Sequence, residues 1–337
     1  MPKILAIADD LTGALEVGAK FAGQGIPSLV TTQGTRNLAY PVVVLDTESR
    51  HLPPDEAARA VAKAASASAE LLYKKTDSTL RGNIAAELRA LLALRPAARI
   101  LYVAAYPALG RTVRNGHLLV HGVPVHQSAF ASDALNPVED SSLARLLGDL
   151  PCTVCDGASD DDVRRSTEEA LGSPGSIILA GPASVAAALA ELLEIPRQPA
   201  RAWLRVANCL VVNGSRHEMS ARQVAYAEAK GCAPWQILRP AIPDGSSAAD
   251  SAAAIGHAVV ERLGAADIDA VMVFGGDTAF GILKALGSPP LEPVGEVVTG
   301  VAVSQVVGRN LTLITKAGGF GEESLIGRVR DMLHGSQ

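Results

Sequence analysis

Residues 3–31 read KILAIADDLTGALEVGAKFAGQGIPSLVT. A short apolar run (3–8) leads into two aspartates, a helical pattern follows over 13–23, and a proline-opened β-rich run closes the stretch at 27–31. A wholly apolar strand, a covering helix and a second strand make the repeating unit of a parallel sheet with helices on both faces. The alternation continues outward. VVVLD (42–46), LLY (71–73) and RILYVAA (99–105) read as further strands, with helical patterns over 54–70 and 84–94. CTVC (152–155) and SIILA (176–180) add strands ahead of a helix that starts near 183. The fold class is α/β.

EIPRQPARAW (194–203), with prolines at 196 and 199, reads as a linker. The alternation restarts beyond it. CLVVNGS (209–215) is followed by helices over 219–230 and 247–263, VMVFGG (271–276), a helix over 278–286, a β-rich stretch 294–306, NLTLITK (310–316) and a last helix over 322–333. The expectation is two α/β domains, 1–197 and 204–337, each with its own mainly parallel sheet and with the active site in the cleft between them. Length agrees, because single cores seldom grow beyond about 250–300 residues and this chain has 337.

A formal net charge of −5 and the lack of any Lys/Arg run give no footprint for nucleic acid or an acidic membrane. The apolar run at the N-terminus is far short of a signal-peptide core and of the roughly 20 residues that span a bilayer, so a cytoplasmic location is expected. Cysteines at 152, 155, 209 and 232 form no disulfide framework. Cys152 and Cys155 have metal-ligand spacing, but neither a second pair nor a nearby histidine completes a site, and they read as buried thiols on a strand.

Three junctions in the second half end a strand in glycine or small polar residues: Asn213-Gly214-Ser215, Gly275-Gly276-Asp277-Thr278 and Lys316-Ala317-Gly318-Gly319-Phe320-Gly321. Glycines let the backbone approach an anion, and the N–H groups of the following helix favour negative charge. A single turn of this kind is an ordinary tight connection; three in one domain point to a polyphosphate site. GxxxxGK[ST] is absent, and no GxGxxG follows the first strand, which argues against a dinucleotide dehydrogenase.

The first half carries different chemistry. Asp9 and Asp10 sit where the first strand turns into its helix, placed either to cap that helix or to accept hydroxyl groups. KKTDSTLRGN (74–83) packs lysines, hydroxyls, Asp77 and Arg81 into one strand-to-helix junction, and an arginine there can fork onto a carboxylate. Residues 106–117 bring Arg111, Arg114, Asn115 and His117 after another strand. Together these three loops suit a polyhydroxylated carboxylic acid.

ADDLTGA (8–14), KKTDSTLRGN (74–83), the segment 107–125, GGDTA (275–279) and KAGGFG (316–321) resemble the motifs of the four-carbon acid sugar kinase family, along nearly the whole chain. The resemblance implies an N-terminal sugar-acid domain and a C-terminal nucleotide domain that meet at a cleft, where ATP phosphorylates the 4-hydroxyl of D-threonate, D-erythronate or a 3-oxo-tetronate. It assigns Asp9, Asp10, Ser78, Arg81, Asp77 and Arg111 to the acid sugar, and Ser215, Gly275, Gly276, Asp277, Thr278, Gly318 and Gly319 to ATP. Two motifs depart from the family. Its Gly-Ser-Cys-Ser is Gly214-Ser215-Arg216-His217 here, and its Lys-Ser-Gly-Asn-Phe-Gly is Lys316-Ala317-Gly318-Gly319-Phe320-Gly321.

Phosphoryl transfer asks mainly for positioning and charge neutralisation. Arg81 is expected to grip the substrate carboxylate, Asp9 and Asp10 to orient its hydroxyls, and the glycine turns to cradle the phosphates around Mg²⁺, whose ligands stay unassigned. Asp277 is the first candidate to orient or deprotonate the 4-hydroxyl and Asp77 the second. The partners are then a small-molecule sugar acid and ATP, with self-association left open. A sugar-acid dehydrogenase or isomerase would need a nicotinamide fingerprint or a metal triad that is not found. A non-catalytic sugar-acid sensor would leave the glycine turns without use.

Overall fold

The computed structural model describes residues 2–334 apart from 35–38, 134, 200–202, 204, 216, 241, 243, 244, 317 and 318. The first half runs β1 (Ile4–Ala8), α1 (Leu11–Gly23), β2 (Ser28–Thr31), β3 (Val42–Asp46), α2 (Pro54–Ala64), β4 (Leu71–Lys75), α3 (Ile84–Leu94) and β5 (Arg99–Val103). It continues through β6 (Arg111–Arg114), β7 (His117–Val120), β8 (Val123–Pro124), α4 (Leu143–Leu147), β9 (Cys152–Cys155), α5 (Asp160–Gly172), β10 (Ile177–Gly181) and α6 (Ala183–Leu192). The second half holds β11 (Cys209–Asn213), α7 (Glu218–Lys230), β12 (Gln236–Leu238), α8 (Ala248–Ala265), β13 (Ala270–Phe274) and α9 (Gly276–Ala285). β14 (Leu291–Val298), β15 (Val301–Val306), β16 (Thr312–Lys316) and α10 (Leu325–His334) close the chain.

The strands predicted as continuous apolar runs are buried along their whole length. β1, β3 and β13 are inaccessible at every position, as strands covered on both faces must be. α1 starts where Asp10 accepts a hydrogen bond from the Gly13 N–H at 3.1 Å, an N-cap. One face of α1 supplies Leu11, Leu15 and Phe21 to the core.

The sheet arrangement differs from expectation. Instead of two separate sheets there is one of thirteen strands, in the order β12-β11-β13-β16-β15-β14-β2-β3-β1-β4-β10-β5-β9. Its two wings are parallel, and they are joined by an antiparallel hairpin, β14–β15, that bridges β16 to β2. The link to β2 is a single pair, Leu291 with Val30. Three successive antiparallel pairings reverse strand direction between the wings, and residues that follow the carboxyl ends of strands in both wings nevertheless line one cleft. α1 braces the junction: Gly18 packs on Pro293 and Val30, and Lys20 pairs with Glu296 at 2.5 Å.

The segment 106–117 is also not the plain loop expected. Arg111–Pro124 forms a small three-stranded meander, β6-β7-β8. Its first turn is the two-residue Asn115-Gly116, with φ of 52° and 71°, the left-handed pair that a tight hairpin needs. Arg114 is exposed there, and His117 bonds Ser141 at 3.0 Å. α2 stops at Ala64, short of the predicted 70. Cys152 and Cys155 lie on β9 but are half-buried, and burial pushes the Cys152 thiol up to about 12. Among the described residues no helix is long and apolar enough to cross a membrane.

Candidate active site

Residues after the carboxyl ends of strands in both wings enclose a cleft of about 850 Å³. On the N-terminal side, Asp9 and Asp10 follow β1 and both face Arg50, from the loop after β3. Arg50 Nε and Nη2 reach Asp9 at 2.7 and 3.0 Å, while Nη1 and Nη2 reach Asp10 at 2.9 and 2.7 Å. The cluster is buried. Burial alone would raise the Asp9 pKa, but Arg50, Lys74 and Lys75 outweigh it and hold the carboxyl below its ordinary value. Beneath it, fully buried Lys74 pairs with Glu87 at 3.0 Å.

Asp77 and Arg81, from KKTDSTLRGN, form a second fork. Arg81 Nη2 and Nε bond Asp77 at 2.7 and 3.1 Å, and Nη1 reaches Asp133 at 3.2 Å. Despite burial, Arg81 and then Arg50 hold the Asp77 carboxyl well below the usual range. The Thr79 N–H also donates to Asp77, at 2.9 Å, so its carboxylate is engaged from several sides. Ser78 lines the cleft beside them, and so does Arg111, from β6.

On the C-terminal side, β11, β13 and β16 deliver their ends to the cleft. Gly275 has φ of 104°, a conformation that favours glycine, and Gly276 opens α9. A Cβ at Gly214 would lie 1.8 Å from Thr278 Oγ1, so the two turns interlock. Ser215 Oγ accepts from the His217 N–H at 3.2 Å, and His217 packs against Gly319. Gly318 lies outside the described residues. Lys316 is turned away: fully buried, it donates to Gln223 at 2.7 Å with its ammonium 4.6 Å from the Phe274 ring centroid, and burial lowers its pKa to about 7.

The wings touch across the cleft. A Cβ on Gly276 would sit 3.1 Å from Asp10 Oδ2, and His51 Nε2 lies 3.3 Å from Asp277 Oδ1. The hydrogen bond from His51 is the main influence holding the Asp277 carboxyl below its ordinary value, against partial burial. Arg50, His51 and Glu48 were all missed in the sequence. They occupy the loop after β3, a strand-to-loop junction of the same kind that drew attention to Asp9 and Asp10.

Glu48 has φ of 47° and accepts from the Leu11 N–H at 3.0 Å, while its own N–H bonds Asp46 at 3.0 Å. Burial pushes Asp46 up to about 7, against the bonds from Glu48. Burial and then the charge of Asp46 push Glu48 up to about 11. In an unfolded chain both ionise near pH 4. Between about pH 4 and 7 the folded protein holds protons that the unfolded chain has released, so this pair makes stability fall as pH rises. Glu48→Gln should flatten that decline in thermal melts taken between about pH 4.5 and 8. An unchanged slope would contradict the assignment.

An acid-and-arginine edge facing a triple glycine-turn edge across one cleft is the layout of a small-molecule kinase. The chain matches the family models described as sugar-binding N-terminal domain, over residues 4–150, and nucleotide-binding C-terminal domain, over 236–326. It is 30% identical to a D-threonate kinase of Salmonella typhimurium, covering 96% of each chain. It is 26% identical to a 3-oxo-tetronate kinase of Methylobacterium radiotolerans, covering 97% and 98%. A D-erythronate kinase of Heliobacterium modesticaldum is 38% identical over 44% of this chain and 36% of its own. The chain belongs to the four-carbon acid sugar kinase family.

Among solved structures, a Salmonella typhimurium protein provisionally described as a tRNA synthase superposes with TM-score 0.79 at 22% identity, over 99% and 100% of the two chains; that likeness is one of fold alone. A Bordetella bronchiseptica protein, 27% identical and crystallised with citrate as a domain-swapped dimer, superposes with TM-score 0.52 over 99% and 98%. The named relatives are kinases, and the dehydrogenase, isomerase and sensor readings have no support among them.

Proposed function

We propose that this protein transfers the γ-phosphoryl group of ATP to the 4-hydroxyl of a four-carbon acid sugar: D-threonate, D-erythronate or a 3-oxo-tetronate. The observation that carries the reading is the single cleft lined by strand-end residues of both wings, which lets it hold an acid sugar on the N-terminal side and a nucleotide on the other. The proposed division is 1–197 for the sugar acid and 204–337 for ATP, in keeping with the order of the two matched family models. The dimer of the Bordetella relative favours self-association, and the demand for ATP favours a cytoplasmic setting.

Nucleotide phosphates fit the C-terminal side: the Gly275 turn and the start of α9, which no side chain caps, offer backbone N–H groups, whereas at α7 the His217 side chain already accepts from the Met219 N–H. Mg²⁺, when bound with the nucleotide, would neutralise phosphate charge. Such an ion takes one or two carboxylates and keeps several waters, and half-exposed Asp277 is the carboxylate on that side. Asp277 also follows Gly276, which lies against Asp10, and so stands near the place where the 4-hydroxyl must be oriented. The acid sugar's hydroxyls face Ser78 and the Asp10–Arg50 cluster on the cleft wall; Asp10 already accepts from Thr12, the Gly13 N–H and Arg50, so a substrate hydroxyl binds it by displacing one of these partners. Asp9, only 2% exposed, acts through Arg50 and Asp10 rather than by contact.

A coupled ADP assay across D- and L-tetronates and their 3-oxo forms tests the reading. ADP is expected only when ATP, Mg²⁺ and one of these acids are all present. A flat response over the panel would remove it.

A further inference from the structure

Three guanidinium groups face the sugar-acid side, and two are committed: Arg50 to Asp9 and Asp10, Arg81 to Asp77 and Asp133. Arg111 differs. It is only 8% exposed, it lines the cleft, and among the described residues no ion pair holds it. One Nη1 hydrogen goes to the Leu109 carbonyl, and Nε has no partner. Burial leads the influences that lower its pKa; Asp77 opposes them and Arg81 adds to them.

Aromatic rings cover the group instead. The Phe130 centroid is 5.7 Å from its guanidinium carbon, and that of Phe320 is 5.4 Å. Phe130 comes from the N-terminal wing and also carries Arg81 at 5.5 Å. Phe320 comes from the other wing, next to Gly319. Ring faces attract a cation but accept little of a guanidinium's hydrogen bonding, so the rings leave the Arg111 Nε donor without a partner. An unpaired buried cation is costly to fold around, and an oxyanion arriving in the cleft would relieve that cost.

We infer that Arg111, rather than Arg81, receives the substrate's carboxylate, and that Phe130 and Phe320 are positioning residues that aim its fork, with Phe320 completing the receptor from the nucleotide side. Arg81 instead holds Asp77. The inference rests on the kinase reading for its ligand, a four-carbon carboxylate, and it predicts where selectivity for acids over neutral polyols resides. It also ties the occupied receptor to closure of the wings.

Calorimetric binding tests it, whether or not turnover occurs. The probes are D-threonate, D-erythronate and their 3-oxo forms set against threitol and erythritol, with wild type, Arg111→Met and Phe320→Leu. Wild type should bind its best acid far more tightly than the matching polyol. Arg111→Met should weaken the acid by about 30- to 1,000-fold and leave polyol and ATP within about threefold, collapsing the preference. Phe320→Leu, a milder change, should cut the preference by roughly 5- to 10-fold through loss of the ring face. Three results would overturn the inference: a wild type that does not prefer acids, an Arg111→Met that keeps the preference, or one that loses ATP affinity while holding the acid. If the acids bind selectively but no ADP forms, the kinase reading fails and the receptor stands.

Discussion

Asp277→Asn is expected to lower kcat by about 10²–10⁴-fold while leaving tetronate affinity nearly unchanged. Asp277 stands in the first turn of α9 with its carboxylate half-exposed to the cleft, and the hydrogen bond from His51 keeps it ionised. The 4-hydroxyl we propose it orients becomes a nucleophile only as transfer proceeds, and an interaction made mainly in the transition state shows in kcat. The amide keeps the shape and the bond with His51 but loses the charge. Asp10→Asn provides the contrast. Because Asp10 faces Arg50 and the sugar side, its loss should raise the tetronate KM and barely change ATP binding by calorimetry. Both sites open into one cleft, yet the phenotypes differ in kind. An intact kcat in Asp277→Asn, or ATP binding abolished in Asp10→Asn with tetronate binding spared, would contradict the placement of the two substrates.

Arg50→Met should be the most destabilising single change at the site. Arg50 is 9% exposed and makes four hydrogen bonds to the carboxylates of Asp9 and Asp10, with Asp77 at 3.7 Å. Removing one partner of a buried charge cluster leaves the others uncompensated, at a cost of about 3–5 kcal/mol. Urea unfolding measures it. The deficit should shrink as pH falls. In the wild type Asp9 titrates below its unfolded value, so its contribution is present above that value and lost as pH falls. Without Arg50 and with burial dominant, Asp9 takes up a proton more readily, and acid then favours the folded variant. A deficit below about 1 kcal/mol, the range of exposed pairs, would show that Arg50 is solvated.

The legible parts of the fold were those written in local pattern. β1 and β13 are unbroken apolar runs, and β3 is one up to Asp46, because both faces are covered, and the Asp10 cap marks the start of α1. The single sheet was not legible, since its wings join through one residue pair, Leu291 with Val30, far apart in sequence. The Asn115-Gly116 hairpin was legible by turn chemistry, but the arginines around it drew a ligand-loop reading. At the site, residue types at strand ends drew attention to Asp10, Ser78, Arg81, Gly276 and Asp277, and the fold brings these to one cleft. Which arginine is free was illegible, because it depends on partners far along the chain: Asp133 for Arg81, and Phe130 and Phe320 for Arg111. Arg50 was hidden for the same reason, 41 positions from Asp9.

The most direct measurement of the central claim is ³¹P and ¹³C NMR of the product formed from ATP, Mg²⁺ and the tetronate that supports ADP release. A cleft that presents the 4-hydroxyl to Asp277 and the carboxylate to Arg111 predicts one new phosphomonoester, with phosphorus coupling at C4, formed in step with ADP. Free phosphate with unaltered tetronate, or an ester at C2 or C3, would contradict it.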